Sequence, residues 1–227
     1  MKYILGNWKA NKTVQEVDQW LREFKDALNA DRLLRNSLDT GAIELVIFPP
    51  FPYLDRTLAA LRGLKQIRVG AQTVSEKAGG AFTGEVTARM LRGIVTYVLI
   101  GHSERRSYFG ETDAELAEQV QRTGEVELQP VLCIRNSQDV IHPGVRFIAF
   151  EPVEAIGTGN NMPLQTVLSR KSTFALPPGA VFIYGGSVTE SSALEYLASS
   201  EIDGLLIGGA SLQVSTFLAI ARIAAGA

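Results

Sequence analysis

The stretch Tyr97-Val98-Leu99-Ile100-Gly101-His102-Ser103-Glu104-Arg105-Arg106 decides how this chain is read. Its first four residues are apolar without alternation. A strand buried on both faces shows that pattern, because neither face meets water. The run stops at Gly101, and five polar or charged residues follow directly. The same cadence recurs in Tyr3-Ile4-Leu5, Leu45-Val46-Ile47-Phe48, Ile67-Arg68-Val69, Val131-Leu132-Cys133-Ile134, Phe147-Ile148-Ala149-Phe150, Val181-Phe182-Ile183-Tyr184 and Leu205-Leu206-Ile207, which makes eight runs in all.

Helical patterns fill many of the intervals. Val14, Val17, Leu21, Phe24 and Leu28 keep one face of a helix, with Thr13 placed to cap it. Asp113 to Val120 and Leu212 to Ala225 also read as helices, and Thr189 can cap Glu190 to Ala198. Strands that alternate with helices pair in parallel. An open doubly wound sheet and a closed barrel both satisfy that rule. Eight runs in 227 residues favour a closed parallel eight-stranded (β/α)8 barrel, usually about 250 residues long. No linker or low-complexity tract breaks the chain, so residues 1–227 are expected to form one barrel domain.

The composition is that of an ordinary globular protein, 46% hydrophobic and 20% charged. A net charge of -2 argues against nucleic acid or an anionic membrane as the main partner. A small anion would have to be met by local charge. The single cysteine, Cys133, excludes an internal disulfide and suits a reducing compartment. No apolar run has the length of a membrane span, and the first residues do not resemble a signal peptide. The expectation is a cytoplasmic protein.

In such barrels the chemistry sits where strands end and loops begin. The runs are followed by Gly6-Asn7-Trp8-Lys9, by Gly101 to Arg106, by Glu151-Pro152, by Gly185-Gly186-Ser187 and by Gly208-Gly209-Ala210-Ser211. An amide, an ammonium, an imidazole and a carboxylate thus share one end of the expected barrel. Asn7 and Lys9 are two apart, so in extended backbone they point the same way. Lys9 is the best cation to meet a phosphate, and glycines let backbone N–H groups approach one closely. Ser103-Glu104 can open a short helix, and a helix N-terminus beside His102 disfavours an imidazolium. His142, in Ile141-His142-Pro143-Gly144, reads as a loop residue.

These segments, together with Gly80-Ala81-Phe82-Thr83-Gly84-Glu85, resemble the triosephosphate isomerase family in order from the first strand to the last. The resemblance implies a TIM barrel that interconverts dihydroxyacetone phosphate and D-glyceraldehyde 3-phosphate through an enediolate, with no metal or cofactor. It implies Glu151 as the base, His102 as the neutral electrophile, Lys9 as the electrostatic stabiliser with Asn7 beside it, and Glu104 orienting Lys9. A glutamate base paired with a neutral histidine is itself known from triosephosphate isomerase, so it comes with the resemblance. The phosphate would rest on Asn7, Lys9, Gly157, Ser187, Gly208 and Gly209. Pro152, Val153, Glu154, Ala155, Ile156, Gly157 and Thr158 would form a closing lid, with Ile156 and Leu206 clamping the base. Gly79 to Glu85 would dock into a second copy, bringing Thr83 to its Asn7 and Glu85 to its Arg105. That implies a homodimer, and lost outer helices leave room for a tetramer.

The chain also departs from the family. Glu154 stands where the family usually has tryptophan, and Arg135-Asn136 where it continues Gly-Glu. Arg135 to Val145 is near the minimum for a parallel crossover, and Pro143-Gly144 breaks any helix there. The fifth helix is therefore expected to be absent or a single turn. The sixth is expected to be short, with Pro163 at its first position and Pro177-Pro178-Gly179 ending the region.

Overall fold

A computed structural model describes residues 1–152 and 161–227. Eight parallel strands close into a barrel in sequence order: β1 (Lys2–Asn7), β2 (Ile43–Phe48), β3 (Ile67–Ala71), β4 (Tyr97–Ile100), β5 (Gln129–Ile134), β6 (Phe147–Phe150), β7 (Val181–Tyr184) and β8 (Gly204–Ile207). Closure rests on β1 pairing with both β2 and β8, as Leu5 faces Val46 on one side and Leu206 on the other. The open-sheet alternative is thereby excluded.

Helices α1 (Val14–Ala30), α2 (Arg32–Asp39), α3 (Leu54–Leu61), α4 (Ala88–Leu91), α5 (Ser103–Tyr108), α6 (Asp113–Gly124), α7 (Leu164–Lys171), α8 (Glu190–Leu197) and α9 (Val214–Gly226) surround it. Thr13 does cap α1: its hydroxyl accepts from the Glu16 N–H, and the Glu16 carboxylate accepts from the Thr13 N–H. Such a cap contributes about 1 kcal/mol. Thr189 caps α8 in the same reciprocal way with Ser192. The last helix starts at Val214 rather than Leu212, because Gly209–Leu212 tightens into a 3-10 turn. Helix α2 has no counterpart in the sequence reading; three of its eight residues, Leu34, Ser37 and Leu38, are buried.

The core has two layers. Leu5, Val46, Phe48, Leu99, Val131, Cys133, Ala149, Ile183 and Leu206 fill the barrel interior. Residues on the other strand faces, such as Ile4, Val98, Leu132 and Phe182, meet the helices. Burial on both faces is the reason the strand runs do not alternate. Gly70 leaves room for this filling: a Cβ there would fall 2.2 Å from the Phe48 ring.

The β5–β6 connection, residues 135–146, contains turns and no helix. Asp139 replaces the helix as its organiser. Its carboxylate accepts from the Arg135 N–H at 2.7 Å and from the Arg135 guanidinium at 2.7 and 3.0 Å. Ile141, His142 and Val145 pack inward and cover this flank. The sixth helix, α7, has only eight residues. Pro163 is its N-cap and not its first helical residue.

Candidate active site

A cavity of about 270 Å³ opens at the C-terminal end of the strands. Asn7, Lys9, His102, Glu151, Gly185 to Thr189, Leu206 and Gly208 to Ala210 line it. Among the described residues, every expected site residue that touches this cavity lies at a strand end or within three positions after it, from Asn7, the last residue of β1, to Ser187, three past β7.

Leaving β1, the chain turns sharply. Asn7 is buried, and its Oδ1 accepts from the Lys9 N–H at 2.9 Å. Lys9 has φ 51, in the left-handed region that L-residues avoid at a cost of about 1–3 kcal/mol. The Gln72 amide holds this conformation in place. Its Nε2 donates at 2.9 Å both to the Lys9 carbonyl and to the Phe48 carbonyl at the end of β2. The Lys9 ammonium then reaches across to pair with Glu104.

His102 caps α5 with its own side chain. Its Nδ1 accepts from the Glu104 N–H at 3.2 Å. Only an unprotonated Nδ1 can accept, so the ring proton sits on Nε2, which lies 3.0 Å from Glu151 Oε1. Burial pulls the His102 pKa down, but the carboxylates of Glu151 and Glu104 outweigh it and leave the pKa raised. The helix N-terminus thus favours the neutral ring, while Glu151 works against it.

Glu151 is only 2% exposed. Its Oε2 accepts from the Ser103 N–H at 2.8 Å, so both oxygens have donors. Cys133 is fully buried beneath it, and burial pushes its thiol pKa well up, which suits an inert packing residue. Glu104 pairs with Lys9 and not with its neighbours, because both arginines are engaged elsewhere. Arg105 pairs with Glu111. Arg106 donates to the Gly101 carbonyl at 2.9 Å and to Asp113 at 2.8 Å.

Ser187, Gly208 and Gly209 also line the cavity. A Cβ at Gly208 would fall 3.2 Å from Lys9 Cε, so the backbone lies close under the lysine stem. Thr189 lines the cavity and caps α8, which directs that helix N-terminus toward it. Backbone amides and a helix N-terminus sharing a cavity with one ammonium form an anion site. Among the described lining residues Lys9 is the sole cation.

Pro152 follows Glu151 as expected, whereas Val153, Glu154, Ala155, Ile156, Gly157 and Thr158 lie outside the described residues. The Gly79–Glu85 loop does not touch the cavity. Sequence reasoning missed Gln72 and the Ser103 amide. Gln72 stands directly after β3, so a strand-end reading of that run could have found it. Ser103 acts through its backbone, which no side chain announces.

The arrangement can hold an anion and move a proton between a carboxylate and an imidazole. No cluster of metal-ligating side chains occurs among the described residues. The family described as triosephosphate isomerase matches residues 2–224. The triosephosphate isomerase of Thermus thermophilus is 37% identical, over 97% of this chain and 98% of that one. The one from Alkaliphilus metalliredigens is 35% identical, over 96% and 97%. A crystal structure of triosephosphate isomerase from Bartonella henselae superposes with a TM-score of 0.78 at 27% identity, covering 98% of both chains. With a matching barrel and near-complete coverage, this chain belongs to the triosephosphate isomerase family.

Proposed function

We propose that this chain, as one barrel domain spanning residues 1–227, interconverts dihydroxyacetone phosphate and D-glyceraldehyde 3-phosphate. The observation that carries the reading is the contact between Glu151 and the protonated Nε2 of His102, 3.0 Å apart at the mouth of the barrel opposite Lys9. The phosphate is held by Lys9, Asn7, the backbone at Ser187, Gly208 and Gly209, and the α8 N-terminus; by resemblance Gly157 joins them. Glu151 leaves the Ser103 amide and takes the proton from the carbon beside the substrate carbonyl. His102 donates from Nε2 to the carbonyl oxygen, and Lys9, oriented by Glu104, stabilises the enediolate charge. Glu151 then returns the proton to the neighbouring carbon, while the hydroxyl on the first carbon gives its proton to His102 Nε2 and becomes the new carbonyl. The net change is one proton moved between adjacent carbons and one between their oxygens, with no change of overall oxidation state, which calls for no metal or cofactor. Residues 152–158 act as the lid that excludes water.

The working unit is a homodimer. The cleft beside Arg105 contains three buried side-chain atoms without partners: Thr73 Oγ1, Glu111 Oε2 and Gln119 Oε1. Exposed Phe109 lines it. A Gly79–Glu85 loop from a second copy supplies both polar atoms and apolar cover. A tetramer has less support, since Ile141, His142 and Val145 already cover the shortened flank. Among the described residues, no helix is long and apolar enough to cross a membrane. The reduced cysteine suits the cytoplasm.

A coupled assay with glyceraldehyde 3-phosphate tests the activity, and isomerisation well above background is expected. Absence of turnover in folded protein refutes the reading. Light scattering is expected to give twice the chain mass of 24.6 kDa.

A further inference from the structure

Two left-handed residues stand in the loop after β1, and the chemistry accounts for only one of them. Lys9 has φ 51 and reaches Glu104 at the mouth; Lys12 has φ 77 and is not among the residues that line the cavity. Glycine takes that conformation freely, whereas a lysine there is strained. The strained residue is anchored at both ends. The Lys12 ammonium donates to the Leu212 carbonyl at 2.8 Å and lies 5.3 Å from the centre of the buried Trp8 ring. The Lys12 carbonyl accepts from the Tyr53 hydroxyl at 3.0 Å. Tyr53 follows β2 and Leu212 follows β8, the two strands that flank β1. Lys12 therefore ties together the loops of three neighbouring strands.

Leu212 closes the 3-10 turn that Gly208 caps and Gly209 opens. Gly208, Gly209 and Ala210 of this turn line the cavity. The turn is held carbonyl by carbonyl. The Ser211 hydroxyl donates to the Gly208 carbonyl at 2.6 Å, and the Trp20 indole N–H donates to the Ser211 carbonyl at 3.2 Å. Lys12 takes the last carbonyl, at Leu212, and its bond is the charged one. A hydrogen bond with one ionised partner is roughly twice as strong as a neutral one. The loop that carries Lys12 also carries Lys9, and a Cβ at Gly208 would fall 3.2 Å from Lys9 Cε. Lys9 and the glycine amides thus lie on two chain segments that the Lys12–Leu212 bond joins.

We propose that Lys12 is a positioning residue for the phosphate. Through the Leu212 carbonyl it holds the Gly208–Gly209 backbone in register with Lys9, so that one phosphate group meets both. The inference rests on the functional reading above. Phosphate contacts that are equal in the substrate and in the enediolate lower KM without raising kcat. Loss of the tie therefore shows in KM and in the binding of phosphate itself, and much less in kcat.

The test uses the full-length chain, with inorganic phosphate as the probe. Lys12→Met keeps a stem over Trp8 and removes the donor and the charge. Lys12→Gly removes the whole side chain but suits the left-handed backbone. The readouts are KM, kcat, the thermal midpoint and the dissociation constant of phosphate from direct titration. Both variants are expected to raise KM and the phosphate dissociation constant roughly tenfold, the size of one hydrogen bond, while kcat changes by less than about threefold. If Lys12→Met does not fold, Lys12→Gly decides. A lower thermal midpoint with unchanged KM and phosphate binding makes Lys12 a packing residue and overturns the inference. A loss confined to kcat, or a wild type that binds no phosphate, overturns it as well. A folded wild type that binds phosphate but does not isomerise overturns the functional reading instead, and the phosphate titration still decides the role of Lys12.

Discussion

At the mouth of the barrel, Lys9 accepts a left-handed backbone and Glu151 accepts near-complete burial, both to keep polar atoms in fixed places. Along the β5–β6 flank, residues 135–146 dispense with a helix altogether, and an Asp139–Arg135 clamp with three inward side chains covers the strands. The two regions differ in what they must satisfy. A flank needs its apolar area covered and its buried polar groups paired, and many chain paths achieve that. A proton-transfer site needs particular atoms within about 3 Å of one another, and few paths achieve that. Shortening is therefore tolerated on one side and excluded on the other.

Substitutions at the mouth should cost activity without stability, and those on the flank the reverse. Glu151→Gln should lower kcat by about 10²–10⁴-fold with an unchanged far-ultraviolet spectrum. Near-normal turnover would remove Glu151 as the base and break the contrast at its strongest point. Lys9→Ala should come next, lowering kcat and raising KM together, by roughly 10²-fold in kcat/KM. The strain at φ 51 should remain, because alanine keeps the Cβ and Gln72 still holds the backbone. Gln72→Ala tests that point: steady-state kinetics should show roughly a tenfold loss in kcat, as the Lys9 carbonyl and the end of β2 lose their shared donor.

On the flank, Asp139→Ala should leave kcat within about twofold while unfolding becomes easier by about 2–4 kcal/mol in urea titrations. The Asp139 side chain is 5% exposed, and the penalty comes from the Arg135 N–H and guanidinium, which lose their acceptor. Burial raises the Asp139 pKa, but hydrogen bonds and charge from Arg135, with Arg106, outweigh it and leave it lowered. A lowered folded-state pKa gives stability that is present above the unfolded value and lost as pH falls through the folded one. The gap between wild type and Asp139→Ala should accordingly close below about pH 4. A gap that persists in acid would mean that the side chain acts by packing.

Much of the mouth was legible because its residues follow apolar runs directly. Asn7, His102 and Glu151 could be placed by counting to the end of a strand. Glu104 was legible only through the resemblance, since its sequence neighbours offered two arginines as equally good partners. The missing fifth helix was legible from Pro143-Gly144 and the shortness of the interval. The clamp that replaces it went unread although Arg135 and Asp139 are only four positions apart, because a charged pair at that spacing inside a loop carries no signal of burial; the further contact of Asp139 with Arg106, 33 positions away, is set by the fold. Helix α2 escaped notice because its polar residues dilute a narrow apolar face.

Local chemistry along the chain determined eight strands, their order, the caps at Thr13 and Thr189 and the strand-end placement of the reactive groups. These are matters of period, turn and propensity, which act over a few residues. Only the tertiary structure decided that β8 returns to β1, that Gln72 rather than a neighbour holds Lys9, that His102 meets Glu151 and that Lys12 meets Leu212. Each joins groups more than 30 positions apart, where the partner is set by barrel closure and by the need to pair every buried polar atom.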